Sequence, residues 1–546
     1  MKMRVGQYLI DALYNAGVEE IFGVPGDFNL TFLDDVIDHE HVSWIGNTNE
    51  LNASYAADGY ARINGLGALI TTFGVGELSA INGIAGAFAE RVPVIAITGA
   101  PTTSVEQARK FVHHSLGEGN FDDYRKMFEP ITTAQGYITS ENAPSEIPRL
   151  IQAAVNNKRP VHIHLPIDVA ATEIDIKESF QLLPMENAAD NELVAAIERQ
   201  LQNAKQPVII TGHEINSFGL QSEMEDFVKT TGIPVVQLSL GKGAFNEESD
   251  YYLGIYDGSV AKDNIRDYVD QSDAILNIGA KITDSASAGF SYQFDIDDVI
   301  MLNHHNTKIN TEQRTDLTLP AIITSLQKVK YRHNPTVSKR RDTNIQVDTT
   351  NKEPLTQATY FAMMQTFLQP NDVVIAEQGT SFFGAYDLWL HANNKFIGQP
   401  LWGSIGYTLP ATLGSQIADT KRRNILLIGD GSLQLTVQAL STMIRYHLKP
   451  IIFVINNDGY TVERMIHGEN ALYNDIHMWD YKALPQVFGG TDVALHEVNT
   501  PQELQRTFDV ITANSNQMHF VEVKMHRDDA PEKLRSISKV FAQQNK

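Results

Sequence analysis

The chain has 546 residues, of which 42% are apolar and 20% charged, with a net charge of −23 and no cysteine. That length and composition describe an ordinary globular protein of three or four domains. The lack of cysteine excludes disulfides, zinc–thiolate sites, iron–sulfur clusters and a cysteine nucleophile, and acidity without a basic block argues against nucleic acid and anionic membrane surfaces.

Residues 1–13 read as an amphipathic helix with Val5, Leu9, Ile10 and Leu13 on its apolar side, and not as a secretion leader. No stretch approaches the roughly 18 uninterrupted apolar residues of a membrane span. The expectation is a cytoplasmic protein. A first block, 1–180, holds predicted strands at 69–73, 94–98 and 161–165. It also holds a tight turn carrying Asp27, a helix opened by Glu50, a Gly-rich loop at 74–76 and the pair His113-His114. On a strand, adjacent histidines face opposite ways and make a poor metal site; on a loop both can face one pocket. A second block, 190–335, has predicted strands at 207–211, 234–238, 274–278 and 299–302. Residues 332–354, poor in large apolar side chains, are the predicted linker. A third block, 355–546, has predicted strands at 373–376, 424–428, 451–455 and 520–523, and a closing helix at 531–544. Alternating strands and helices predict an α/β protein of three domains, each a mainly parallel sheet flanked by helices.

Two motifs close neighbouring apolar strands: Ile428-Gly429-Asp430-Gly431-Ser432 and Ile455-Asn456-Asn457-Asp458-Gly459-Tyr460, with helical spacing at 433–448 between them. In an open α/β sheet, ligands bind beyond the carboxyl ends of the strands. The Asp430 carboxylate, the Asn457 amide and a turn carbonyl near Gly459 suit a hard cation such as Mg²⁺, shared with phosphate oxygens. A lone Gly-Asp-Gly is more often an ordinary turn; the second motif at this spacing reverses that reading. Taken singly, Glu50 reads as an acidic residue favoured near a helix N-terminus, and Ile405 as core.

The motifs together resemble the thiamine diphosphate-dependent 2-keto acid decarboxylases. Within that group the chain is most similar to the bacterial branched-chain keto acid, phenylpyruvate and indolepyruvate decarboxylases, relatives of pyruvate decarboxylase. The carriers are residues 21–29, 50–62, 71–82, 111–114, 376–384, 398–407 and 427–467. The resemblance implies a cofactor whose pyrimidine binds the first domain and whose diphosphate binds the third domain of a partner. The resemblance implies a homodimer with shared active sites as the minimum, tetramers built as dimers of dimers being common among relatives, and the sequence does not decide between the two. It implies that Glu50 bonds the pyrimidine, that the Gly403 carbonyl holds its amino group and that Ile405 props the cofactor in a bent form. Asp430, Asn457 and Gly459 hold Mg²⁺. Gly429, Gly431, Ser432, Tyr460, Thr461 and Thr380 complete the cofactor contacts, Thr380 also lying near the substrate carboxylate. Asp27, Glu50, His113, His114 and Glu463 form the implied catalytic set, and Gln378, Phe382, Val462, Ile537 and Phe541 the implied substrate pocket. The implied reaction is non-oxidative decarboxylation of branched-chain or aromatic 2-keto acids to aldehyde and CO₂, through a carbanion and an enamine on the cofactor. Val462 is smaller than the Ile typical of pyruvate-specific members. A methylene discriminates by only about 1–3 kcal/mol in an apolar pocket, so the preference should be broad. The alternatives are a carboligase of the acetolactate synthase type and an inert cofactor-binding regulatory relative. His304-His305 stands where relatives have an acidic pair, and both residues read as non-catalytic.

Overall fold

Three separate sheets organise the chain. Their central strands are buried on both faces, as expected when helices cover both sides of a parallel sheet. The computed structural model describes residues 1–335 and 345–544; 336–344, the centre of the predicted linker, and 545–546 lie outside the described residues. The first sheet is wholly parallel, in the order Ser43–Gly46, Glu20–Gly23, Gly67–Thr72, Val94–Ala100, Val161–Pro166, Ala134–Tyr137. Lys2–Arg4 pairs antiparallel with Glu173–Asp175, so the predicted first helix begins only at Val5 and runs to Asn15.

The second sheet has five parallel strands, Tyr252–Ile255, Val235–Gln237, Pro207–Thr211, Ala274–Ile278 and Ile300–Asn303, extended by antiparallel Asn306–Ile309 and Glu312–Arg314. His304 and His305 make the turn of that hairpin, with His305 at φ 54°. The His304 ring is buried and its Nδ1 accepts the Leu319 N–H at 3.1 Å. Burial pushes it down to about 3.

The third sheet is parallel throughout, in the order Lys395–Ile397, Val373–Ala376, Asn424–Gly429, Ile451–Asn456, His519–Lys524, Ala494–Val498. From the strand Val373–Ala376 the chain goes first to one neighbour, Lys395–Ile397, and then to the other, Asn424–Gly429. The direction reverses there, and such a switch opens a crevice at the carboxyl ends of the strands. The single helix expected at 433–448 is two, Asp430–Thr436 and Ala439–Arg445. Asn52 Nδ2 lies 3.5 Å from the Thr436 carbonyl, and the joint is closed by shorter bonds, Leu440 N–H to Val437 O and Ser441 N–H to Gln438 O.

First and third sheets meet through the helices Glu50–Asn64 and Thr408–Ala418. Small residues allow the close approach: a Cβ on Gly59 would lie 2.2 Å from the Ala411 carbonyl oxygen, and one on Gly414 1.8 Å from that of Ala56. The buried Asp58 holds Arg62 at 2.7 Å and accepts the Tyr407 hydroxyl, so the charge at this junction is paired.

Candidate active site

The expected site residues fall in two places. The first is a cleft over the carboxyl ends of Val373–Ala376, Asn424–Gly429 and Ile451–Asn456. Its lining includes Gln378, Thr380, Gly403, Ile405, Gly429, Asp430, Gly431, Ser432, Asn457, Gly459, Tyr460, Thr461, Val462 and Glu463, all from residues 378–463. Every residue read from the sequence as a cofactor or metal contact in the third block is therefore in one place.

Asp430 begins its helix and is buried. Its Oδ1 accepts the Gly431 N–H at 2.8 Å, and its Oδ2 those of Asn457 and Gly459, each at 3.2 Å. Burial pushes the carboxyl up to about 6, against the pull of these backbone donors. Among the described residues no cation pairs with it, and a bound metal ion would relieve such a buried anion. Asn457 donates its Nδ2 to Thr461 Oγ1 at 2.9 Å, which commits the nitrogen and leaves the amide oxygen as the remaining ligand atom. Gly459 sits at φ 111°, and a Cβ there would lie 2.2 Å from the Asn474 carbonyl oxygen, so the turn admits only glycine. Around positions Gly403 and Gly429 a Cβ would meet no atom within 4 Å, which leaves open backbone facing the cleft. A carboxylate, an amide oxygen and a carbonyl beside bare glycine backbone fit a hard cation and a diphosphate.

The second place lies at the first sheet. His113 Nε2 lies 2.7 Å from Asp27 Oδ2, and His114 Nε2 3.5 Å from Asp27 Oδ1. Residues 111–115 are loop and turn, not strand, so both imidazoles reach one carboxylate. The Phe28 ring stacks on His113 with centroids 5.0 Å apart. Glu50 is the first residue of its helix, capped by Asn49, and is half-buried beside Gly76, where an added Cβ would lie 3.3 Å from its Oε1.

Asp27, Glu50, His113 and His114 are not among the residues lining the cleft of the same chain. Three expected pocket residues do not line this cleft either. Phe382 is buried in the core with Tyr386 and Phe396 and lines a separate cavity between the domains, beside Arg62 and Lys158. Ile537 is buried in the same core, and Phe541 packs partly buried against it. The reason is the short helix Thr380–Ala385, which turns Thr380 to the cleft and Phe382 inward. Gln378 and Val462 do line the cleft.

Sequence reasoning passed over three neighbours. Tyr55 meets Ser404 Oγ at 2.6 Å, Asn82 Nδ2 donates to Tyr55 and Ser404, and Trp402 Nε1 donates to Asn82 at 2.8 Å. The loop bearing Gly403 and Ile405 is thus braced from the first sheet of its own chain. Glu377 is the third neighbour, a carboxylate directly after an apolar strand and 1% exposed; that placement was its only signal.

Residues 3–125 match the family described as thiamine pyrophosphate enzyme, N-terminal TPP binding domain. Residues 194–328 match the central domain of the same family and 378–523 its C-terminal TPP binding domain. The chain is 38% identical to pyruvate decarboxylase isozyme 1 of Saccharomyces cerevisiae, over 100% of this chain and 99% of the yeast protein. It is 40% identical to an alpha-keto-acid decarboxylase of Mycobacterium avium, over 97% of this chain and 95% of that one.

The chain belongs to the thiamine diphosphate-dependent 2-keto acid decarboxylases.

As a family member it is a carboxy-lyase that uses thiamine diphosphate, and the cleft's donor set suits the diphosphate and metal end of that cofactor. Among the described residues, no helix is long and apolar enough to cross a membrane.

Proposed function

We propose that the protein decarboxylates branched-chain or aromatic 2-keto acids to aldehyde and CO₂, in a homodimer whose active sites each join the two half-sites of different chains. The observation that carries this reading is the division itself. The oxygen ligands sit in one cleft, and the Asp27–His113–His114 cluster and Glu50 sit outside it. A second copy brings the halves together, which makes a dimer the smallest complete assembly.

In this reading Asp430, Asn457 and the Gly459 carbonyl hold Mg²⁺, and Gly429, Gly431, Ser432, Tyr460 and Thr461 surround the diphosphate. Gly403 and Ile405 shape the middle of the cofactor, and Glu50 of the other chain bonds its pyrimidine. When bound, thiamine diphosphate supplies the nucleophilic carbon and the sink for the electrons that the departing carboxylate leaves behind. The chain's own residues orient the keto acid and manage its protons. Gln378 and Thr380 offer polar contacts for the substrate carboxylate, and Val462 walls the side-chain space. Asp27, His113, His114 and Glu463 deliver the proton that replaces CO₂ on the carbonyl carbon. Histidine titrates near neutrality and suits that transfer. Within one chain both histidines reach the Asp27 carboxylate. The breadth of the substrate range is supported by Val462, whose small side chain points across the cleft toward Gly379 at 4.0 Å from an added Cβ.

A panel of keto acids tests this. Ketoisovalerate or phenylpyruvate, without an electron acceptor, should yield equal amounts of aldehyde and CO₂, and a chelator should stop the reaction. A coupled hydroxyketo acid in place of aldehyde would instead identify a carboligase. A protein that turned over pyruvate alone would reject the substrate range but not the chemistry.

A further inference from the structure

We infer that Glu377 is a positioning residue whose ionised carboxylate clamps together the two loops that shape the cofactor cleft. The inference deepens the site proposed above and rests on it. Glu377 Oε1 accepts the Gln378 N–H at 3.0 Å. Its Oε2 accepts the Thr408 N–H at 3.1 Å and the Thr408 hydroxyl at 2.7 Å. The Gly406 N–H also bonds the carboxylate. Through its main chain, Glu377 donates to the Leu427 carbonyl at 2.9 Å, on the strand that leads into Asp430. One residue therefore ties the segment of Gln378 and Thr380 to the loop of Gly403 and Ile405, and both to the strand that presents Asp430.

Donors from Gln378, Gly406 and Thr408 converge on its two oxygens. An ionised carboxylate, an acceptor at both oxygens, satisfies them all; an amide turns its NH₂ toward a backbone N–H, and a neutral acid keeps its place only by reversing the Thr408 hydroxyl. No Lys, Arg or His among the described residues pairs with it, and burial pushes the group up to about 7 against these hydrogen bonds. A neutral residue of similar size would pack there at lower cost, which points to a use for the charge. Of the other titratable groups, Tyr55 faces it from the helix Glu50–Asn64, with its hydroxyl held by Ser404. Asp58 beyond Tyr55 is paired with Arg62, and Asp430 stands on the neighbouring strand.

Cofactor affinity, measured by calorimetry on the apo-protein with excess Mg²⁺, separates a clamp from a merely structural part. Near pH 8, Glu377→Gln should bind thiamine diphosphate about tenfold more weakly than the parent. Near pH 5.5 the parent carboxylate is itself neutral, so the two affinities should converge to within about twofold. Thr408→Val keeps the backbone donor and loses only the hydroxyl; it should weaken binding in the same direction by about threefold near pH 8. This second variant carries the test should Glu377→Gln fail to fold. Equal affinities near pH 8, or a ratio that stays constant with pH, would overturn the inference. Asp430→Asn reports on the site itself. Unchanged binding in Asp430→Asn rejects the site, whereas its loss beside an unaffected Glu377→Gln rejects only the clamp.

Discussion

Gly74 controls where the second of the two histidines beside Asp27 stands. It sits at φ 64°, and a Cβ there would lie 1.8 Å from the His114 carbonyl oxygen. On its other side the N–H donates to the buried Glu77 at 2.8 Å, so Gly74 cannot retreat. His114 is itself at φ 61°, and the Tyr124 hydroxyl reaches its carbonyl at 3.4 Å. Gly74→Ala should push the 111–115 loop away from Asp27 by roughly 1 Å, a displacement that costs about 100-fold in turnover when a reacting group is involved. Steady-state kinetics and a melting curve check this: kcat should collapse while the protein stays folded. Unchanged kcat would mean that the loop position does not matter. The individual histidines were legible in the sequence as a pair. Their convergence stood there only as the loop alternative and in the set the resemblance implied, because period-2 reasoning applies to strands, and the left-handed His114 backbone takes this loop out of that pattern.

At the scale of elements, the contact between Glu50–Asn64 and Thr408–Ala418 is where small residues matter most. An exposed Gly→Ala change in a helix usually stabilises by up to about 1 kcal/mol. At Gly414 the sign should reverse, because the new methyl would meet the Ala56 carbonyl oxygen at 1.8 Å and force the helices apart. Gly414→Ala should destabilise by about 3 kcal/mol, the upper range for overpacking, read from the midpoint of urea unfolding. A neutral or stabilising effect would show that the helices can part without loss. The Ala-rich composition of 50–64 marked a helix but not its partner. Likewise the 3.6-residue spacing at 433–448 marked helix correctly over most of its length and missed the joint at Val437, beside which Asn52, 384 positions away from Thr436, lies 3.5 Å from the Thr436 carbonyl.

For the whole molecule, the question is which chain completes which site. Mixing two variants answers it. Glu50→Gln and Asp430→Asn should each be nearly inactive alone. If each site takes Glu50 from one chain and Asp430 from the other, random reassortment into mixed dimers should restore about a quarter of the parental sites. Activity assays after dissociation and reassociation read this directly. No recovery, in a mixture shown to exchange subunits, would place both residues of a site in one chain.

Parallel strands and the ligand motifs at their ends were determined by the sequence itself, since both are encoded within a few consecutive residues: apolar runs for Asn424–Gly429 and Ile451–Asn456, then Gly-Asp-Gly and Asn-Asn. The short edge strands Lys395–Ile397 and Ser43–Gly46 carry too few residues for a pattern and emerge only from pairing. Only the tertiary structure decided that Phe382 and Ile537 turn into the core, that the Asp27 carboxylate lies 2.7 Å from His113, 86 positions away, and that Glu377 bridges two loops. Those outcomes depend on which surfaces the sheets bring face to face, and no local spacing of side chains records that.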